Sequence, residues 1–205
     1  MSAAVYTVPV MAIVCPRCGR NYDVTLFQFG RAITCTCGAR VEREGPGRAV
    51  PRHGEPRFTA DAMLGRLARW LRFLGYDTEY DPELDDPELA RRSLREGRIL
   101  LTRDREIPDR YRLSDAILVE ADRPLDQLRQ VVRTLGLEWR GRSPTRCTVC
   151  NESLVALPRE KAAGRVPPFV HAHHDAFFRC PRCRRIYWEG THLARMRERL
   201  EDALA

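Results

Sequence analysis

Two aspartates stand where chemistry could be done. Asp61 follows the run Arg57-Phe58-Thr59-Ala60, and Asp104 follows Arg98-Ile99-Leu100-Leu101-Thr102-Arg103. Each run reads as a short strand. In an open parallel sheet the carboxyl ends of all strands share one edge, and ligands bind there. Two acids far apart along the chain can therefore converge. A third acid, Asp86 or its neighbour Asp85, stands at the start of a helix that could reach the same edge, with Asp86 at the N-cap and Pro87 at the first helical position. Grouped carboxylates repel unless a cation neutralises them, and oxygen-rich sites suit Mg²⁺ or Mn²⁺. Such an ion lowers the pKa of a water and steadies charge on a phosphorane-like transition state. Each acid also has a plainer reading. Asp61 and Asp86 fit ordinary helix caps. Asp104 fits a turn acid paired with a neighbouring Arg, and Asp115 and Asp122 fit loops flanking a strand, Asp122 being the better outside candidate.

A second set of residues points to metal by spacing alone. The eight Cys fall into four close pairs, Cys15/Cys18, Cys35/Cys37, Cys147/Cys150 and Cys180/Cys183. A lone Cys-x-x-Cys would leave a redox role open. Two facing pairs favour a tetrahedral zinc site, and four thiolates leave no open position for chemistry, so both sites are structural. Gly19 and Gly38 follow the first two pairs and suit left-handed turns. Asn151 is the next-best residue for such a turn, whereas Arg184 departs from the glycine preference. Sixteen residues separate the first two pairs, enough for a short hairpin through Tyr22, Val24 and Leu26. Twenty-nine separate the last two, a long loop that includes Pro167, Pro168, His171, His173 and His174. With zinc already saturated by Cys, those His read as polar residues on an exposed loop.

The elements that must position the acids follow from periodicity. After Asp61, Leu64, Leu67, Leu71 and Leu74 share one helical face, and Arg66, Arg69 and Arg72 form a second, solvated stripe. Gly75 supplies the stop. Asp77-Thr78-Glu79-Tyr80 is a second strand, residues 86–96 a helix ended by Gly97, and 98–102 a continuous apolar strand of the buried parallel type. Residues 116–119 form a fourth strand. Residues 124–135 close with a helix whose stripe is Leu125, Leu128, Val132 and Leu135. The alternation argues an α/β fold, a parallel sheet flanked by helices, joined to two small zinc-ribbon modules of four cysteines each. The expected organisation is a ribbon at 1–42, a Gly/Pro/Arg-rich linker at 43–56 with His53 exposed and uninvolved, the α/β core at 57–139, and a second ribbon with a terminal helix at 140–205. Leu193, Met196, Leu200 and Leu204 form the packing face of that helix.

Composition bounds the partners. The chain has 205 residues and a net charge of +7. Residues 1–57 carry +4, residues 58–139 carry −3 and residues 140–205 carry +6. Basic ends suit a polyanion and an acidic middle suits cations. The positive charge is nearly all Arg, which forks onto phosphates and stacks on bases. No apolar run reaches membrane-spanning length, and no signal peptide is legible. A soluble, cytoplasmic protein without membrane partners is expected.

These residues resemble a known family. Phe58-Thr59-Ala60-Asp61-Ala62-Met63-Leu64-Gly65-Arg66-Leu67-Ala68-Arg69-Trp70-Leu71-Arg72, then Gly75-Tyr76-Asp77-Thr78, is similar to the opening of the Mut-seven C-terminal ribonuclease domain, a branch of the PIN-like nucleases. So are Gly97-Arg98-Ile99-Leu100-Leu101-Thr102-Arg103-Asp104, Arg146-Cys147-Thr148-Val149-Cys150-Asn151, and Cys180-Pro181-Arg182-Cys183 with the trailing Ile186-Tyr187-Trp188-Glu189-Gly190-Thr191-His192. The resemblance covers about residues 57–200. It implies a PIN-like parallel sheet with an appended zinc ribbon, and Mg²⁺- or Mn²⁺-dependent RNA cleavage by the acids matching Asp61, Asp86 and Asp104. Residues 1–42 lie outside it. Arg66, Arg69, Arg72 and Arg103 are candidate RNA-backbone contacts, and Tyr187, Trp188 and His192 candidates to stack on or orient a base. A solvated helix face and core packing are the plainer alternatives. The leading expectation is a metal-dependent endoribonuclease with two structural Zn²⁺. The alternative is a non-catalytic RNA- or ribosome-binding adaptor. Thiol–disulfide exchange is disfavoured. Nothing in the sequence separates tRNA, rRNA and mRNA as the target.

Overall fold

The computed structural model describes residues 12–15, 17–18, 20–23, 32–42, 55–142 and 144–204. Gly19, Val24, Leu26 and His53 lie outside the described residues. Two compact units are distinguished, Met1–Arg48 and Ala49–Ala205.

In the first unit each Cys pair sits at the turn of a two-stranded antiparallel ribbon. β1 (Ala12–Val14) pairs with β2 (Asn21–Asp23), and β3 (Ala32–Thr34) with β4 (Arg40–Glu42). Each pair thus has its own ribbon; the hairpin expected through Tyr22, Val24 and Leu26 falls mostly outside the described residues. Gly38 takes φ +79°, the left-handed turn its position calls for. Buried Cys15, Cys35 and Val41 form the small core, with Tyr22 and Ile33 against it.

In the second unit the apolar runs become short parallel strands, β5 (Phe58–Ala60), β6 (Thr78–Tyr80), β7 (Ile99–Thr102) and β8 (Ala116–Leu118). Their order is β6-β5-β7-β8. The chain leaves β5 for one side, then crosses back past it, so the order reverses between β5 and β7. Strand alternation splits the core into two layers. Phe58, Ala60, Ile99, Leu101, Ile117 and Val119 face α1 (Gly65–Phe73) and α4 (Pro124–Leu135). Leu100 faces the other way, onto Leu89 of α2 (Asp86–Glu96) and Ile107 of α3 (Glu106–Arg110). Leu64, Leu67, Leu71 and Leu74 are all buried at the base of α1, and Gly75 ends it at φ +85°. Burying four leucines contributes roughly 6–12 kcal/mol gross. That rivals a whole domain's net stability, so packing rather than helix propensity fixes α1.

Two expectations on these helices are corrected. The N-cap of α2 is Asp85, whose Oδ1 accepts the Glu88 amide at 3.0 Å. Asp86 is the first helical residue and Pro87 the second, so capping does not occupy Asp86. Arg72 is not on a solvated stripe. It is 3% exposed and donates to three carbonyls, Thr78 at 2.8 Å, Val149 at 2.7 Å and Thr148 at 3.4 Å. A guanidinium so committed has no face left for a phosphate.

Arg72 joins α1 to the C-terminal ribbon. β9 (Val155–Leu157), β10 (Phe177–Arg179) and β11 (Ile186–Trp188) pair antiparallel in the order β11-β10-β9. The expected long loop holds two short helices, α5 (Arg159–Ala162) and α6 (Pro168–His173). His173 Nδ1 meets the Phe169 carbonyl at 2.8 Å, and His171 Nε2 meets that of Arg159 at 3.1 Å. Asn151, left-handed at φ +65°, accepts the Thr78 amide at 3.0 Å and donates to Asp77 at 2.6 Å. Arg184 is left-handed too, at φ +62°, a strained setting for a side chain of its size. α7 (Thr191–Leu204) then lays Leu200 and Leu204 into the α1/α4 layer, with Leu193 and Met196 partly buried beside them.

Asp77 anchors this joint. It pairs with Arg98 at 2.8 Å and with Arg146 at 3.7 Å. Burial pushes its carboxyl up, but the hydrogen bonds from Arg98 and Asn151, with the charges of Arg98 and Arg146, outweigh burial and hold it below the usual carboxylate range. A depressed carboxylate stabilises the fold above its unfolded value of about 3.9, and the contribution fades as pH falls through the lower folded value. Asp77→Ala leaves Arg98 with Glu96 at 2.7 Å, the Phe58 carbonyl at 3.3 Å and Glu79 at 4.0 Å. We expect a loss of about 2–3 kcal/mol, toward the low end for breaking a buried pair. Urea unfolding at pH 7 and pH 3 checks it, and the variant's deficit shrinks at the lower pH.

Side-chain amides finish both sides of the sheet. Thr78 on β6 presents its amide to Asn151 and its carbonyl to Arg72. Beside β8, Gln130 donates to the Leu118 carbonyl at 2.7 Å and accepts the Glu120 amide at 3.0 Å. Among the described residues no helix is long and apolar enough to cross a membrane.

Candidate active site and arginine cleft

The carboxyl ends of the four strands bring acids to one edge. Asp61 follows β5 directly, and its amide still donates to the Leu101 carbonyl of β7 at 3.0 Å. The short 3₁₀ turn Ala62–Leu64 starts there, and Asp61 Oδ1 caps it by accepting the Ala62 amide at 2.6 Å. The other oxygen, Oδ2, accepts the Thr102 hydroxyl at 2.7 Å. The same hydroxyl accepts the Asp104 amide at 3.0 Å. Thr102, fully buried at the end of β7, therefore ties Asp61 to the backbone of Asp104 across the crevice where the strand order reverses. Asp104 Oδ1 accepts the Glu106 amide at 2.7 Å. Among the described residues neither Asp61 nor Asp104 is ion-paired with an arginine; Asp104 makes the turn bond of the plainer reading, to the Glu106 amide, without the arginine partner.

The third expected acid is placed differently. Asp86 lies 3.8 Å from Arg110. Among the described residues, the groups of three or more Cys, His, Asp or Glu ligand atoms lying within 4.8 Å of one another are the two Cys sets. Asp61, Asp86 and Asp104 do not gather that closely. Sequence reading misses Asp81, although it directly follows the strand 77–80. It ends β6 next to β5 and accepts the Glu83 amide at 3.1 Å. Glu120 lies two residues past β8 and pairs with Arg105 at 3.3 Å. Arg103 pairs with Asp122 at 2.6 Å, and Asp122 is 84% exposed. Such a surface pair is worth under about 1 kcal/mol, so Arg103 can exchange it for a phosphate.

Mg²⁺ is commonly held by one or two carboxylates, with waters and substrate phosphates completing its shell. Asp61 and Asp104 fit that demand. Both are oriented by neutral donors, and neither has an arginine among the described residues to take the cation's place.

Gly65 keeps Asp61 in position. The Tyr80 hydroxyl donates to the Ala62 carbonyl at 3.0 Å, and the Tyr80 ring lies over Gly65. A Cβ at 65 would stand 2.6 Å from that ring. We expect Gly65→Ala to cost about 1–3 kcal/mol, as overpacking does, and to displace the turn carrying Asp61. Chemical denaturation measures the first effect. Pairing the change with Tyr80→Ala should restore stability if ring contact is the cause.

A cleft of about 900 Å³ opens between α1, the start of α4, the C-terminal knuckle and α7. Arg66, Arg69 and His192, all named as nucleic-acid contacts, line it together; Arg72 does not. The sequence reading missed Arg123, Arg129 and Arg199, which line it as well. Four separate segments build this cleft, so no local pattern announces it. Tyr187 reaches the cleft, but its hydroxyl lies 3.0 Å from Cys147 Sγ. Trp188 packs against the ribbon's own core.

The eight thiols form two sets of four, with all cysteines free. Across-pair Sγ–Sγ distances are 3.7 and 3.5 Å in the first set, and 3.6 and 3.4 Å in the second. A disulfide would need about 2.05 Å. A zinc tetrahedron with Zn–S near 2.3 Å has edges of roughly 3.8 Å, so both sets can hold zinc. In the second set burial pushes the Cys147 thiol up, but the Tyr187 hydroxyl and the Cys150 and Val149 amides hold it low. Burial and the neighbouring Cys180 and Cys147 push Cys150 up. A bound cation is what lets all four ionise together.

The family model described as the Mut7-C RNAse domain matches residues 56–200. Comparison with curated proteins and with solved structures finds no match.

Proposed function

The chain belongs to the Mut7-C RNAse domain family, and from that premise we propose that it is a Mg²⁺- or Mn²⁺-dependent endoribonuclease of PIN-like type. Nuclease-type chemistry on RNA follows from the family. Metal dependence and internal cleavage are our reading. The observation that carries it is the Thr102 hydroxyl joining Asp61 to Asp104 at the crevice between β5 and β7. Asp61 and Asp104 would hold the divalent ion, while Asp86 stands apart from them beside Arg110. The ion supplies charge for the transferring phosphoryl group and an acidified water. The chain's own residues do the rest. Thr102 and the Ala62 amide fix Asp61, the Glu106 amide fixes Asp104, and the cleft arginines with Arg103 bind the RNA backbone. The two basic ribbons help hold the substrate, each stapled by one Zn²⁺. The eight free thiols suit a reducing compartment, and we place the protein in the cytoplasm.

The test is Mg²⁺- and Mn²⁺-dependent cleavage of single-stranded and structured RNAs by wild type and Asp104→Asn. Equal rates across all substrates would remove the acids from the reaction. Thr102→Val probes positioning. It deletes the donor to Asp61 and the acceptor for the Asp104 amide, and such changes around a metal typically cost about 10–100-fold in metal affinity or activity. A divalent-ion titration of the rate should show the midpoint moving to higher concentration.

A second reading is a non-catalytic RNA- or ribosome-binding adaptor. It is favoured by Asp86 standing with Arg110 instead of joining the other two acids. Isothermal titration separates the two, because only the nuclease loses divalent-ion binding in Asp61→Asn.

A further inference from the structure

The arginine cleft has a division of labour that phosphate binding alone does not explain. Its floor is apolar, built from Trp70, Phe73, Leu125, Leu193 and Met196. Its rim carries five arginines against two aspartates, Asp126 and Asp202. Asp126 is already spent on Arg129 at 2.9 Å. Among the described residues Arg66, Arg69 and Arg123 have no ion-pair partner, and Arg199 stands 5.8 Å over the Trp70 ring. Uncompensated cations around a concave, greasy floor call for a ligand that is anionic at its margins and flat and apolar at its centre.

We infer that this cleft seats an unstacked nucleotide of single-stranded RNA, with the base on the apolar floor and the flanking phosphates on Arg66, Arg69, Arg123 and Arg199. The inference rests on the ribonuclease reading and names the form in which that substrate is taken. A volume of about 900 Å³ is within the range of small-molecule sites, enough for a nucleotide or two. A-form duplex keeps its bases inside and presents a convex phosphate surface, so it cannot reach the floor. The apolar lining reads no base edge, so the cleft selects strandedness and not sequence. Along the chain the cleft adjoins the acid-bearing strands. Arg66 lies in the first turn of α1, just after Asp61, and Arg123 is the N-cap of α4, just after the end of β8. α7 supplies Arg199 and Met196, which makes the terminal helix a wall of the binding site as well as a packing element.

The experiment uses the full-length, zinc-loaded chain with Asp61→Asn to silence cleavage. Fluorescence anisotropy follows a labelled ten-nucleotide single-stranded RNA, the same sequence as a duplex, and the same sequence as DNA. We expect tighter binding of single-stranded RNA than of duplex. In Arg69→Ala/Arg123→Ala the single-strand affinity falls by more than tenfold, and the slope of log affinity against log salt flattens by about 0.7 for each phosphate contact removed. Equal loss for single strand and duplex would overturn the inference, as would no loss at all. Single-stranded DNA binding as well as RNA would overturn the RNA-specific part. Ultraviolet crosslinking of 4-thiouridine RNA to the unmutated chain is the second measurement. It should mark peptides holding Trp70, Tyr187 or Met196, and crosslinks confined elsewhere would sink the proposal. Failure of the ribonuclease reading looks different: wild type cleaves nothing, while the cleft variants still weaken single-strand binding.

Discussion

If the proposed function holds, Asp61→Asn should lower metal-supported RNA cleavage by about a thousandfold and leave RNA affinity at low salt within about twofold. The size follows from what a metal contributes to charge stabilisation, several kcal/mol, at roughly 1.4 kcal/mol per tenfold in rate. Asn keeps the shape of Asp61, and its carbonyl oxygen can still accept the Ala62 amide that caps the 3₁₀ turn. Only the charge disappears, along with one oxygen ligand facing Thr102. Folding should therefore survive, which a thermal melt verifies alongside the kinetics. Because Asp61 does not line the arginine cleft, binding and cleavage ought to separate cleanly. A variant that cuts at the wild-type rate would mean the carboxyl edge does no chemistry, and the adaptor reading would stand only if the wild type cuts nothing either.

The second large effect concerns zinc in the C-terminal ribbon. Cys147→Ser, or chelation, should melt β9–β11 and lower the melting temperature of the remaining core by roughly 10 °C. Structural zinc contributes about 10–16 kcal/mol of apparent binding free energy in small domains, as much as most domains hold in total. A ribbon this small cannot keep its fold without it. The damage then spreads through the joint. Arg72 loses the Thr148 and Val149 carbonyls, and Thr78 and Asp77 lose Asn151. Losing a few such bonds costs about 3–4 kcal/mol, and for a chain of this size each kcal/mol is worth roughly 2–4 °C. Elemental analysis should find near two zinc ions per native chain and one in the variant. Hydrogen exchange should quicken across residues 72–80. If the variant binds one zinc fewer yet melts with wild type, the ribbon is an independent appendage.

The sequence carried the parts whose cause is local. The leucine stripe of α1 is legible because burial on one face imposes its own period. Asp61 and Asp104 are legible because each closely follows an apolar run that reads as a strand, and ligands in open parallel sheets bind at that end. The Cys sets are legible from spacing. What was hidden depends on remote chain. Arg72 sits three residues past Arg69, in step with the solvated stripe, but two of its acceptors are 76 and 77 residues away. Adjacent acids at the start of α2 are interchangeable in a sequence. Only the extended backbone of Asp85, φ −77° and ψ 163°, decides which one caps. α3, α5 and α6, at five, four and six residues, are too short to show a period. Asp81 is a different case, since the strand before it is recognisable and the rule that picks out Asp61 applies to it equally.

Thr78 and Gln130 have a consequence for how this protein meets others of its kind. Outermost strands normally leave a row of unsatisfied backbone groups that can recruit a stranger's strand. Here Asn151 and Arg72 occupy the groups of Thr78. On the far side the Gln130 amide bridges the Leu118 carbonyl and the Glu120 amide, as a single residue of a fifth parallel strand would. At these two points the edges offer no free backbone group, which works against strand addition and edge-to-edge aggregation.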